Sequence, residues 1–137
     1  MEYTLKIKNP NVEEFIFLRE TTGWSRLRRD SIQKALQNTL FGLCVYDGDN
    51  IVGMGRVIGD NAIYFYIQDV IVLPEYKNKG IGKLIMEKLI HYVQEQPHQN
   101  IFLGLMSAEN VKEFYLGLGF EERGANHPGM HKIINKY

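Results

Sequence analysis

An apolar stretch that ends at a proline and continues through lysines and glycines into a helix constrains this chain more than any other feature. Residues 68–93 read QDVIVLPEYKNKGIGKLIMEKLIHYV. The β-branched run before Pro74 predicts a buried strand. The apolar residues that follow Gly80 recur in near four-residue steps, which predicts a helix over 80–95. The stretch therefore predicts a strand, a short turn and a helix that begins at glycines.

The turn between this strand and helix has the composition of an anion-binding site. The first N–H groups of a helix have no partner within it and carry partial positive charge. Gly80 and Gly82 remove side chains there and allow backbone angles that direct several N–H groups to one point. Lys77, Lys79 and Lys83 add positive charge. These residues favour a seat for a phosphate-bearing ligand, and glycines that only ease a tight turn remain the alternative.

Two other glycine-rich phosphate sites do not fit. A Walker A loop needs Ser or Thr after its Gly-Lys pair, but Leu84 follows Lys83 and Lys77 occupies the place of the first glycine. A dinucleotide fingerprint needs a third glycine where this chain has Ile85. The site is therefore of another kind.

The remaining hydrophobic patterns predict a mixed α/β sheet with helices packed on it. The element order is β-α-α-β-β-β-α-β-α-β-β, without a repeat or linker, so one domain over residues 1–137 is predicted. Asn11, Asp30 or Ser31, and Asn110 are predicted to cap helices. Strands are predicted at 3–8, 41–47, 51–59, 62–73, 101–106, 120–123 and 130–135, and helices at 11–20, 30–38, 80–95 and 110–119.

Composition argues against several classes of protein. The 16 basic and 16 acidic residues cancel, which disfavours nonspecific nucleic-acid binding. The single cysteine, Cys44, excludes an intramolecular disulfide and reads as a buried hydrophobe. No apolar run approaches the roughly 20 residues that cross a bilayer, and the first ten residues lack the apolar region of a signal peptide. These observations predict a cytoplasmic protein without membrane partners.

The segment VIVLPEYKNKGIGK resembles the coenzyme A signature of the GNAT superfamily of N-acetyltransferases, in which a hydrophobic strand leads through Q/R-x-x-G-x-G/A into a helix. Lys77 stands where the family usually has Gln or Arg. A second block, NVKEFYLGLGF at 110–120, is similar to the family's N-x-x-x-x-F-Y-x-x-x-G-F. The resemblance covers nearly the whole chain. It implies a GNAT-like central mixed sheet of six to seven strands flanked by about four helices, with the cofactor in a V-shaped splay between strands 62–73 and 101–106.

The resemblance also implies an activity and the residues that serve it. It implies transfer of an acetyl group from acetyl-CoA to a primary amine by direct attack in a ternary complex. Tyr115 would stand near the thioester sulfur, although an aromatic residue packed in the core is the alternative. No metal is implied. The implied cofactor-binding residues are Val70, Ile71, Val72, Lys77, Asn78, Lys79, Gly80, Ile81, Gly82, Lys83 and Asn110.

The acceptor pocket and the general base are less constrained. Trp24, Tyr66 and His131 are predicted to bind the acceptor, and the aromatic character of this set favours a cationic or arylalkyl amine. For Tyr66, packing on a sheet face or at a dimer contact is an equal alternative. Tyr66 occupies the position of a glutamate base in some histone-type members, so a water relay, Asp69, His127 or His131 is considered instead. Asp69 could equally hold the backbone or Arg56.

Other functions remain open at this stage. A noncatalytic acyl-CoA-binding regulatory or scaffold domain would have the same phosphate seat, and a transferase could use a longer acyl group. A nucleotide-binding regulator is the weakest alternative. Similar proteins are frequently dimers, so a homodimer is one expected state.

Overall fold

The computed structural model describes residues 2–135, which form two compact units. The first unit runs to Leu105 and contains a five-stranded sheet with three α-helices. The second unit begins at Met106 and contains one short α-helix within its described part. Between residues 2 and 135, no helix is long and apolar enough to cross a membrane.

The sheet contains β1 (Thr4–Ile7), β2 (Phe41–Asp47), β3 (Asn50–Gly59), β4 (Tyr64–Val72) and β5 (Phe102–Gly104). The strands lie side by side in chain order. Neighbours from β1 to β4 are antiparallel, whereas β5 is parallel to β4. A parallel neighbour needs a crossover connection. The helix after β4 supplies that crossover, as the sequence predicts.

The α-helices are α1 (Val12–Arg19), α2 (Arg29–Gln37), α3 (Ile81–Gln94) and α4 (Lys112–Leu116). The start of α1 is predicted correctly, because the Asn11 side chain accepts from the Glu14 N–H at 2.8 Å and the Glu14 side chain accepts from the Asn11 N–H at 2.9 Å. The N-cap of α2 is predicted two or three residues late, at Asp30 or Ser31. The helix follows Arg28 without a side-chain cap, and Asp30 pairs with that arginine at 2.8 Å.

α3 packs on the sheet through a continuous apolar face. Gly53 and Gly55 of β3 lie beneath it, and a Cβ on Gly55 would come within 2.7 Å of Ile85 Cγ2. Glycine at these positions lets the helix lie close to the strand. The helix is thereby held with its first turn beside the end of β4. Its buried residues are Ile81, Ile85, Met86, Leu89 and Val93.

The sheet has five strands rather than the six to seven that the resemblance implies. The predicted strands at 120–123 and 130–135 are absent, and the structure describes no regular element after α4. Ile133 and Ile134 are about 70% and 68% exposed. A strand requires backbone partners on a neighbouring strand, which an alternating pattern alone does not provide. The mixed α/β architecture with four α-helices otherwise agrees with the prediction.

Candidate functional site

The turn between β4 and α3 is held in a defined conformation. A short 3-10 turn at Pro74–Tyr76 follows the strand, and the Tyr76 hydroxyl donates to Asp47 Oδ2 at 2.6 Å. Asn78 and Gly80 adopt left-handed backbone conformations, with φ of 62° and 83°. Glycine and asparagine are the residues that adopt this conformation most readily. The loop residues are therefore matched to its geometry.

The turn presents a row of backbone N–H groups without partners. Within residues 2–135, no hydrogen bond uses the N–H groups from Asn78 to Lys83, and the first bond of α3 runs from Leu84 N–H to the Gly80 carbonyl at 3.0 Å. Lys77, Lys79 and Lys83 are exposed and make no ion pair with another described residue. Six free donors at a helix N-terminus, with three cations nearby, can bind an anion such as a diphosphate.

The strand that leads into this turn has an open edge. β5 pairs with β4 only from Tyr64 to Tyr66, so β4 continues six residues further without a strand partner on that side in the part of the chain described. Leu73 N–H donates to Val52 O at 2.8 Å on the β3 side. Backbone groups alternate between the two edges of a strand, so those of Val72 face the opening. This unpaired edge of β4 is a feature that the predicted V-shaped splay requires.

A β-bulge changes the course of β4 within this opening. Met54 pairs with Ile71 and Arg56 pairs with Gln68, so β4 contains one extra residue between these pairs. Asp69, within the bulge, has φ of 58°. Bulges redirect the backbone and often occur beside active sites. The bulge thus sets the orientation of the backbone at the adjacent Val70.

Asp69 is the centre of a buried ionic cluster. Its Oδ2 accepts from Arg56 Nε at 2.8 Å, and its Oδ1 lies 3.5 Å from Arg19 Nη1. Arg56 also donates to the Ala35 carbonyl at 3.1 Å and to Thr39 Oγ1 at 2.9 Å. Both carboxylate oxygens therefore face guanidinium groups. This favours the structural interpretation of Asp69 over a role as general base.

A pocket of about 460 Å³ adjoins the cluster on the other side of Arg19. The Arg19 Nε donates to the Ser25 carbonyl at 3.0 Å, and its guanidinium lies 5.3 Å from the centre of the Trp24 ring. Trp24 lines this pocket, whereas Tyr66 is not among the lining residues, and the roles of both as acceptor contacts stay predictions. The lining includes Ile16, Arg19, Trp24, Arg26, Leu27 and Ile32.

Arg19 is a residue whose importance the sequence did not reveal. The sequence offers one signal for it, a charged residue at the end of the apolar face of α1.

Tyr66 is half-buried on β4, opposite Ile58 of β3 and Gly104 of β5. Burial raises the pKa of its phenol. A neutral phenol at this position agrees with the expectation that Tyr66 is a poor base.

In the second unit, the NVKEFY block forms the short helix α4. The prediction that Asn110 caps it is wrong, because Asn110 has a left-handed backbone with φ of 65° and the helix begins after Val111 without a side-chain cap. Tyr115 is half-buried and packs edge-on to Phe114 and Phe120, at 5.2 and 6.3 Å between ring centres. Burial raises the pKa of the Tyr115 phenol, so it is a hydrogen-bond donor at neutral pH.

The two histidines considered as bases lie on exposed irregular backbone of the same unit. The His127 carbonyl accepts from Arg123 Nε at 2.7 Å, and the His127 N–H donates to the Gly124 carbonyl at 2.9 Å. His131 lies on extended, exposed chain. Neither is buried, so a role as base stays a prediction.

Comparison with known proteins identifies the class to which this fold and the turn between β4 and α3 belong. A family model described as an acetyltransferase (GNAT) domain matches residues 9–129. This match, together with the fold, makes the protein an acyltransferase. The chain belongs to the GNAT family of acetyltransferases, whose members generally use acetyl-CoA.

Individual relatives agree with this assignment. A crystal structure from methicillin-resistant Staphylococcus aureus, described as a probable acetyltransferase, is 31% identical, with a TM-score of 0.90 over 97% of this chain and 100% of that one. A GNAT family protein of Streptococcus pneumoniae is 28% identical, with a TM-score of 0.82 over 99% and 100%. A histone acetyltransferase of Glycine max is 31% identical over 82% of this chain and 53% of its own length. The chain thus spans about half the length of the Glycine max relative.

Proposed function

We propose that this protein transfers an acetyl group from acetyl-CoA to a primary amine of a small molecule or a protein. The observation that carries the proposal is the row of free N–H groups from Asn78 to Lys83 at the end of an open-edged strand. The name of the Glycine max relative supports a protein amine as one class of acceptor. The acetyl donor, when bound, supplies an activated thioester.

The end of β4 and the turn into α3 each have a role in this proposal. The backbone of Val70, Ile71 and Val72 pairs with the pantetheine arm along the free edge. The N–H groups from Asn78 to Lys83 hold the diphosphate, with Lys77, Lys79 and Lys83 adding charge. A backbone N–H near Val70, directed by the bulge, meets the oxygen on which negative charge develops. Asn110, by its motif, contacts the polar part of the cofactor.

The amine must lose a proton before or during attack. An alkyl amine has a pKa near about 10.4, so roughly one molecule in a thousand is free base at pH 7. Because Asp69 already faces two guanidiniums, we favour a water relay as the proton acceptor, with His127 and His131 as alternatives. Trp24, Tyr66 and His131 are the proposed acceptor contacts.

The test combines binding and turnover. The purified protein is titrated with coenzyme A by calorimetry and then incubated with acetyl-CoA and a panel of primary amines, with free thiol as the readout. Saturable binding and amine-dependent thiol release are expected. Binding without release from any amine would instead indicate a noncatalytic acyl-CoA-binding domain. Faster turnover with longer acyl thioesters would change the proposed donor.

Tyr115→Phe tests the proposed catalytic residue. The leaving thiolate resembles a cysteine, with a pKa of about 8.5 against about 10 for an ordinary tyrosine, so complete proton transfer from Tyr115 is unfavourable and a hydrogen bond is expected instead. We expect kcat to fall roughly tenfold to a hundredfold with an unchanged Kd for coenzyme A. Because burial raises the Tyr115 pKa, ionisation of this phenol should reduce activity only at a higher pH than ionisation of an ordinary tyrosine would.

Tyr92→Phe is the matched control, because it removes an exposed tyrosine hydroxyl at the far end of α3. Equal kcat values for wild type and Tyr115→Phe would show that Tyr115 is only a packed aromatic residue.

A cytoplasmic location and a homodimer also belong to the proposal. Cys44 is a buried free thiol whose pKa burial raises to about 11, which supports a structural role.

A further inference from the structure

The pocket beside Trp24 contains a positive charge that its own protein neighbours do not balance. From this we infer that the acceptor carries an anionic group close to its reactive amine, and that Arg19 recognises that group. The inference rests on the proposed acetyl transfer and specifies its substrate class. It concerns only residues of the first unit.

The charge count follows from the ion pairs around the pocket. Arg29 pairs with Glu13, and Arg26 pairs with Glu20 at 3.8 Å. Arg56 and Arg19 share a single carboxylate, that of Asp69. Four guanidinium groups thus face three carboxylates, which leaves one positive charge.

The unbalanced positive charge is that of Arg19. Arg56 has a short bond to Asp69 and two further acceptors, one of them a carbonyl in the last turn of α2, where the helix dipole is negative. Arg19 has the longer 3.5 Å contact to Asp69 and one neutral acceptor, the Ser25 carbonyl at 3.0 Å, and its side chain is only 15% exposed. A buried charge without a full partner is costly. An anion in the pocket would offset that cost.

The Trp24 ring argues against a cationic acceptor at this point. The Arg19 guanidinium already lies over the ring, 5.3 Å from its centre. A substrate cation would have to displace it or accept repulsion from it. Ile16, Leu27 and Ile32 supply apolar walls for the hydrocarbon part of an acceptor.

The pocket is also next to the proposed reaction site. Arg19 contacts Asp69, and the next residue along β4 is Val70, where the thioester oxygen is proposed to bind. An anionic group held at Arg19 would therefore place an amine on the same molecule within reach of this strand. This would reduce the entropy that the reaction loses when the amine is oriented.

The experiment uses three primary amines of equal chain length that end in a carboxylate, a phosphonate or a carboxamide. For the wild type, we expect kcat/KM for an anionic member to exceed that for the carboxamide roughly tenfold, because charge-assisted hydrogen bonds are about twice as strong as neutral ones. The anionic amine with the higher kcat/KM indicates whether the anionic group of the acceptor resembles a carboxylate or a phosphonate. Arg19→Gln should reduce the ratio to near one, and Arg19→Lys should retain part of it. Arg28→Gln, an exposed arginine outside the lining, should leave the ratio unchanged.

Each ratio is taken within one variant, so a change in the amount of folded protein does not affect it. If the wild type acetylates the carboxamide as well as either anion, the inference is overturned and the proposed transfer stands. If neither these three amines nor any member of the wider amine panel is acetylated, the proposed function is contradicted, and fluorescence of Trp24, the single tryptophan, then tests the anion site. A saturable response to the carboxylate that Arg19→Gln abolishes would support the site, and equal responses to all three amines would overturn it.

Discussion

Gly82→Asp is expected to weaken coenzyme A binding by about a hundredfold or more without destabilising the protein. Gly82 lies in the first turn of α3, within the row of free N–H groups. A carboxylate there opposes the diphosphate, and like-charge contacts at binding sites cost several kcal/mol. The same carboxylate interacts favourably with the helix N-terminus, and replacing glycine within a helix adds stability. Binding and stability should therefore change in opposite directions.

Calorimetric titration with coenzyme A and thermal unfolding measure the two effects. Asn61→Asp is the matched control, because it adds the same charge where Asn61 Oδ1 accepts from the Tyr92 hydroxyl at 3.1 Å. Tyr92 is ten residues along α3 from Gly82, or about 15 Å at 1.5 Å per residue. A similar loss of affinity in both variants would show only a general effect of charge. An unchanged affinity in Gly82→Asp would contradict the proposed diphosphate site.

Asp69→Asn is expected to lower the free energy of unfolding by about 3–5 kcal/mol, because removal of one partner from a buried ionic cluster leaves uncompensated charge. Here two guanidinium groups, on Arg19 and Arg56, would remain with no carboxylate between them. Asparagine keeps the size of the side chain and tolerates the left-handed backbone that Asp69 adopts. The loss therefore reports on charge rather than on backbone strain.

Asp30→Asn provides a control with the same ion-pair length. Asp30 lies 2.8 Å from Arg28, as Asp69 does from Arg56, but both partners are largely exposed. Exposed ion pairs contribute little, so this variant should differ only slightly from wild type. Chemical denaturation of both variants gives the comparison. Similar small losses would mean that the buried cluster is not a major source of stability.

The strand–turn–helix around residues 68–93 could be predicted because its signals are local. The β-branched run, the proline and the four-residue apolar steps each specify backbone conformation within a few residues. The glycine requirement at Gly80 is likewise local, since it depends on φ at that residue. The C-terminal strands could not be predicted in this way. Residues 130–135 have the residue pattern of a strand, but pairing depends on a partner far away in the chain.

The amino-acid sequence by itself therefore determined the order of elements as far as α4, the family, and the glycines at the start of α3, since these follow from local backbone preferences and short spacings. The tertiary structure alone brought Arg19 of α1, Arg56 of β3 and Asp69 of β4 together, across as many as 50 residues of chain. No local pattern specifies such a meeting, because it results from how the helices pack on the sheet. The unbalanced charge beside Trp24 likewise depends on the tertiary structure, because it is the sum of the charges of side chains from separate elements.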